Sequence, residues 1–66
     1  MDRKHTEDLF RRHKGKRVAV TSISGGEYEG QVGEITNEYV LLSDGDIQTF
    51  VLYGAIESIV VIETET

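Results

Sequence analysis

The hydrophobic period of this chain changes once, at Arg17, and that change restricts the fold more than any other feature. Before it, Leu9, Phe10 and His13 recur at helical spacing. After it, apolar residues alternate or run together in short segments divided by glycine-bearing turns. The pattern predicts a helix over residues 6–14, with Thr6 as N-cap and Gly15 as its stop. Glu7 and Asp8 suit the positive end of the helix dipole, and Arg11, Arg12 and Lys14 suit the negative end.

Five strands are predicted to follow. The first runs from Arg17 through Val18 and Val20 towards Ile23, and turns at Ser24-Gly25-Gly26. The second covers residues 27–35. Its side-chain parity slips between Val32 and Ile35, with Gly33 at the slip, as at a β-bulge. Residues 36–38 connect it to a third strand, Tyr39-Val40-Leu41-Leu42, whose unbroken apolar run predicts cover on both faces. Ser43-Asp44-Gly45-Asp46 is a turn, and the fourth strand runs from Ile47 to Tyr53. Gly54 breaks it, residues 55–58 read as a 3₁₀ turn, and Ile59-Val60-Val61-Ile62 is the fifth strand. One leading helix and five short antiparallel strands joined by tight loops predict a mainly β chain forming a bent, half-open barrel of SH3-like size. A single domain spans residues 1–66, with the barrel over 16–62 and a frayed tail at 63–66.

Size then bears on assembly. A domain of 66 residues buries only about 60% of its unfolded surface and is marginal on its own. The chain has no cysteine, so disulfides and thiolate metal sites are excluded. Two histidines, His5 and His13, are too few for a structural metal, and His13 reads as a packing residue. No metal or cofactor is expected. The apolar run at 59–62 has no Lys or Pro to protect it, and a terminal strand of that kind is commonly a sheet edge. Edge pairing with a second copy, repeated head to tail, is the expected remedy and closes a ring. Ile59, Val60, Val61 and Ile62 are the expected interface, with Val51 and Tyr53 of the fourth strand opposite them. No apolar run approaches a membrane span and no signal-peptide core is present, which predicts a cytoplasmic protein with no membrane partner.

Charge is divided unevenly along the chain. All seven Lys and Arg lie in the first 17 residues, whereas residues 18–66 hold nine acids and no Lys or Arg. The net charge is −5. Such asymmetry points to an anionic partner on the basic segment, with Arg11, Arg12, Lys14, Lys16 and Arg17 as phosphate contacts. An alternative is a basic helix that merely complements an acidic body.

Gly30-Gln31-Val32, Asn37-Glu38-Tyr39-Val40-Leu41-Leu42 and the stretch from Val51 to Val60 together resemble the Sm-like proteins, and within them the bacterial Hfq branch. Ala55-Ile56-Glu57-Ser58-Ile59-Val60 has the spacing of the branch's second signature. The resemblance runs from Lys14 to Val61, with the preceding helix also in place. It implies a helix followed by a bent five-stranded Sm-like barrel, whose last strand pairs with a neighbour's fourth strand in a ring. It also implies binding of single-stranded, uridine-rich RNA on the helix-bearing face, in an RNA chaperone or riboregulator. The base-stacking position falls on Tyr39, its polar neighbours on Asn37 and Glu38, and the pore position on Tyr53 and Gly54. The chain departs from the pattern in having Asn37 for the usual aspartate, Glu38 for the usual amide, and no cation at Tyr53-Gly54. The adenine-binding positions of the opposite face fall on Thr21 and Glu27, which do not suit that role.

No catalytic constellation is evident, and the chain is not expected to be an enzyme. Ser22, Ser24, Ser43 and Ser58 lie outside any nucleophile-elbow pattern, and the glycines lack the Lys-Ser/Thr pair of a phosphate loop. Two function classes stand: an RNA-binding ring, and a ring that serves as a protein-interaction scaffold with little RNA affinity.

Overall fold

The structure is a computed structural model that describes residues 2–62; the tail expected at 63–66 lies outside the described residues. Helix α1 spans Arg3–Arg12. It begins three residues earlier than the sequence pattern predicts, because Asp2 rather than Thr6 caps it. The Asp2 carboxylate accepts from the amides of Lys4 (2.9 Å) and His5 (3.1 Å). Those bonds hold its pKa below the usual carboxylate value. Thr6 lies inside the helix, fully buried, and its hydroxyl donates to the Asp2 carbonyl at 2.7 Å. Thr6 and Phe10 form the buried stripe. His13 ends the helix as its C-cap, and its Nδ1 donates to the Leu9 carbonyl at 2.8 Å. His13 itself is half-buried and lies outside the core cluster.

Five strands follow: β1 Arg17–Ser22, β2 Glu27–Ile35, β3 Tyr39–Asp44, β4 Ile47–Leu52 and β5 Ile56–Ile62. All neighbours in the sheet are antiparallel, in the order β4-β3-β2-β1-β5. The two outer strands, β4 and β5, are therefore its edges. Every strand contributes to one core, with Val18, Val20, Val32, Val40, Leu42, Val51 and Ile56 gathered around Phe10 and Tyr53. A flat sheet cannot place side chains of its two outer strands in one cluster, so the sheet curls around them.

Two boundaries differ from the sequence expectation. The 3₁₀ turn η1 is Tyr53–Ala55, not 55–58, and β5 starts at the buried Ile56. The fourth strand ends at Leu52; the Tyr53 amide still donates to the Glu38 carbonyl (3.0 Å), the next rung of the β3–β4 register, as the chain turns into η1. The run at 39–42 is also less fully covered than its composition implies. Val40 and Leu42 are buried, while Tyr39 and Leu41 are half-buried on the other face.

Strand β2 is irregular where its parity slips. Val32 pairs with Leu42 and Ile35 with Val40, so Gly33 and Glu34 together oppose Leu41. Gly30, earlier in the same strand, has a different reason to be glycine. A Cβ there would meet the Ser43 backbone oxygen at 2.9 Å and nitrogen at 3.0 Å. Backbone cannot yield as a side chain does. Gly30→Ala should therefore destabilise the fold by about 1–3 kcal/mol, the usual range for overpacking. At Gly33 the nearest neighbour of a Cβ is the Leu41 carbonyl at 3.4 Å, an ordinary contact. Gly33→Ala should stay within about 0.5 kcal/mol of the parent. Urea denaturation of both variants checks the contrast, and equal midpoints would contradict it.

Candidate nucleic-acid interface

Three segments meet at one end of the sheet: α1, the 36–38 turn between β2 and β3, and η1. Tyr53 joins them. Its ring is fully buried and stacks on Phe10, with centroids 6.0 Å apart and planes 17° from parallel. Its hydroxyl donates to the Thr36 carbonyl and its amide to the Glu38 carbonyl. Thr36 closes the turn from within, since its Oγ1 accepts from the amides of Glu38 (3.1 Å) and Tyr39 (3.0 Å). Asn37 and Glu38 are left exposed at the apex, and Tyr39 emerges half-buried at the start of β3.

Tyr39 is held on two sides. Its ring meets Phe50 edge to face, at 5.4 Å and 84°. Its hydroxyl donates to Glu34 Oε1 at 3.2 Å. The hydrogen bond to that carboxylate raises the phenol's pKa, since losing the proton would remove the bond and face charge with charge.

The predicted phosphate contacts divide into two groups. Arg11 is committed to Glu7, with Nε and Nη2 on one oxygen at 2.9 and 2.7 Å. Arg17 is committed to Glu29 at 2.6 Å and Asp44 at 3.4 Å. The Glu29 bond pushes its pKa above the ordinary guanidinium value. Arg12, Lys14 and Lys16 are exposed and make no ion pair among the described residues.

Other expected site residues fall differently. Gly54 is exposed beside η1. Tyr53 was expected to face RNA and a neighbouring subunit, but its ring is in the core with no exposed surface. Val51, expected at the same interface, is only 5% exposed and also points inward. The side chains that β4 presents outward are Phe50 and Leu52, at 59% and 58% exposure. On β5, Val60 is 59% exposed, while Ile59, Val61 and Ile62 are half-buried. The alternation along the fourth strand separates Phe50 and Leu52 from Val51 and Tyr53. The burial of Tyr53 decides which set faces in.

No protein-family model matches the sequence, and no curated protein matches it. The fold is similar to a crystal structure of Hfq, a pleiotropic translational regulator. The TM-score is 0.76, at 20% sequence identity, and the match covers 86% of this chain and 98% of that one. The chain has the Hfq-type Sm-like fold. The leading helix and the antiparallel five-stranded sheet of that Hfq-type architecture are both in place. Among the described residues no group of three or more His, Cys, Asp or Glu could hold a metal ion, and no helix is long and apolar enough to cross a membrane.

Burial pushes the Tyr53 phenol up to about 12, with Glu7 adding to the effect. A phenol with a raised folded-state pKa contributes stability below its unfolded value near 10. That contribution is lost as pH rises through about 12. Tyr53→Phe should lose about 1 kcal/mol at pH 8, from the missing bond to Thr36. It should also show a shallower fall in stability between pH 10 and 12. Denaturant titrations followed by circular dichroism across that range read both effects. An unchanged alkaline slope would show that another group governs it.

Proposed function

We propose that this chain assembles edge to edge into a closed homo-oligomeric ring in the cytoplasm. The ring binds single-stranded RNA on its helix-bearing face, as an RNA chaperone or riboregulator. The observation that supports RNA binding best is the fixing of the Tyr39 turn to the base of the basic helix through Tyr53 and Phe10. The Tyr39 ring is half-buried at the start of β3, and Arg12, Lys14 and Lys16, at and just after the end of the helix, make no ion pair among the described residues. Aromatic rings stack bases and cations neutralise phosphates, which are the two requirements of a single-strand site. The resemblance to the Hfq branch implies uridine-rich strands.

The ring reading rests on the two edges. Strands β4 and β5 each leave one side without a partner strand, and each presents exposed apolar residues: Phe50 and Leu52 on one, Val60 on the other. A groove of about 250 Å³ runs beside β4, between Phe50 and Leu52 on one wall and Tyr28 and Ser22 on the other. It offers room for a side chain from a neighbour. Two different edges pairing head to tail make a heterologous contact, which closes when the rotation allows. Val60→Asp changes an exposed side chain, so the far-ultraviolet circular dichroism should persist while light scattering falls to a monomer mass. A ring of unchanged mass would place the contact elsewhere.

A short labelled oligo-U strand titrated at two salt concentrations tests binding by fluorescence anisotropy. Each lost phosphate contact should lower the salt slope by about 0.7 on a single strand. Arg12→Ala with Lys16→Ala should lower that slope, whereas Arg11→Ala, already ion-paired, should change it less. Tyr39→Ala should weaken binding by about 1–3 kcal/mol at unchanged slope. The pairing of Arg11 and Arg17 with carboxylates favours a second reading, a protein-interaction scaffold. Failure of oligo-U to bind at low salt would remove RNA and leave that scaffold.

A further inference from the structure

We propose that His13 is a proton-gated phosphate contact, so that the basic segment binds an RNA strand more tightly as pH falls from 8 to 6. The inference rests on the RNA-binding reading above and adds a regulation to that site.

The starting point is the turn between α1 and β1. The Lys16 amide donates to the His13 carbonyl at 2.9 Å, and Gly15 sits at φ 85° between them. Strand β2 holds this turn in place. The Gly15 amide donates to the Val32 carbonyl and the Val32 amide to the Lys16 carbonyl, both at 2.9 Å, and Gln31 Nε2 donates to the Gly15 carbonyl at 2.7 Å. The backbone of residues 13–16 is therefore fixed, and one short span carries His13, Lys14 and Lys16. None of the three makes an ion pair among the described residues. Residues 9–26 contain no Asp or Glu.

Imidazole differs from the neighbouring side chains because its charge can change at physiological pH. The Nδ1 of His13 donates to the Leu9 carbonyl at 2.8 Å. A carbonyl only accepts, so Nδ1 carries the hydrogen and Nε2 is bare in the neutral ring. Protonation at Nε2 leaves the Leu9 bond intact. It adds a cation at the end of the helix, where unpaired carbonyls favour one. The charges of Arg12, Lys14 and Lys16 oppose it. A phosphate lying among these side chains removes that opposition, so phosphate and proton each raise the affinity for the other. The helix packs on β2, β3 and η1, and the acids of all four elements are committed or distant. Glu7 pairs with Arg11, Glu29 and Asp44 pair with Arg17, and Glu34 accepts from Tyr39. Asp8 stands on the helix five residues before His13, and Glu27 opens β2, about 13 Å along the strand from Gln31. The one titratable group of η1 is the buried Tyr53 phenol. Among the described residues no carboxylate pairs with the imidazole to hold its charge when RNA is absent.

The test titrates labelled hexauridylate with the full chain at pH 6 and pH 8, each at two salt concentrations, and reads anisotropy. The parent should bind several-fold more tightly at pH 6, with a salt slope steeper by up to about 0.7, the value of one added phosphate contact. His13→Gln should lose this response, and His13→Lys should keep the tighter binding at pH 8. His5→Gln should respond as the parent does, because His5 lies eight residues away, about 12 Å along the helix. Calorimetry in two buffers of different ionisation heat checks the parent itself, which should take up protons on binding near pH 7. Equal parent affinity at the two pH values, a response that survives His13→Gln or is lost in His5→Gln, or binding without proton uptake overturns this inference alone. Hexauridylate that binds at neither pH removes the RNA reading itself, and this inference with it.

Discussion

The burial of Tyr53 is the interaction on which the working end of this molecule depends. A phenol has one polar atom on a large apolar ring, so it can be buried fully only where that atom finds a partner. Here the ring stacks on Phe10 and the hydroxyl reaches the Thr36 carbonyl. One residue therefore fixes the helix to the sheet and also holds the turn that displays Asn37, Glu38 and Tyr39. The backbone of the same residue adds a bond to the Glu38 carbonyl, in register with the β3–β4 ladder, where β4 gives way to η1. Without this anchor the helix would rest on Thr6 and Phe10 alone, and the 36–38 turn would have only its internal threonine bonds.

Much of the fold is legible in the sequence because it depends on local rules. The change of period at Arg17 and the parity slip near Gly33 report which face each side chain takes, and the turn glycines Gly15, Gly25 and Gly45 report a positive φ that other residues rarely adopt. The order of the elements follows from them. Less legible were the features that depend on which face of a strand turns inward. The fourth strand reads equally well with Val51 and Tyr53 inside or with Phe50 and Leu52 inside. Only the stack on Phe10, a contact between residues far apart in sequence, makes the choice. The helix start was misplaced for a simpler reason. Both Asp2 and Thr6 can cap, and the earlier one wins when the chain between them can add a turn and bury Thr6 against the sheet.

The candidate site was partly legible. Tyr39, on which the Hfq-like pattern puts base stacking, stands half-buried at the start of β3 beside the exposed Asn37 and Glu38. The pattern said nothing of Glu34, whose position beside Tyr39 comes from the bulge, nor of Phe50, which braces the Tyr39 ring across the β3–β4 pair. Charge counting also overstated the available cations. It treats five basic residues as equivalent, whereas Arg11 and Arg17 are tied to carboxylates that fall near them only in the folded chain.

Those ion pairs bear on how an acidic chain can offer a basic surface. Exposed pairs of this kind add little to stability, at most about 1 kcal/mol each. Their larger effect is on the local field. Arg17 spans Glu29 and Asp44, so it offsets acids of the β2 and β3 ends that would otherwise repel an approaching phosphate. Arg11 does the same for Glu7 on the helix. The committed cations thus cancel nearby negative charge, and Arg3, Lys4, Arg12, Lys14 and Lys16 are left without an ion pair among the described residues. A single chain presents only these few charges, too few for firm electrostatic binding at ordinary salt. In the ring proposed above, copies arranged around a common axis would bring these side chains together on one face. The open edges at β4 and β5 and the sparse cations of the helix end both fit the proposed ring, in which copies would share one charged face.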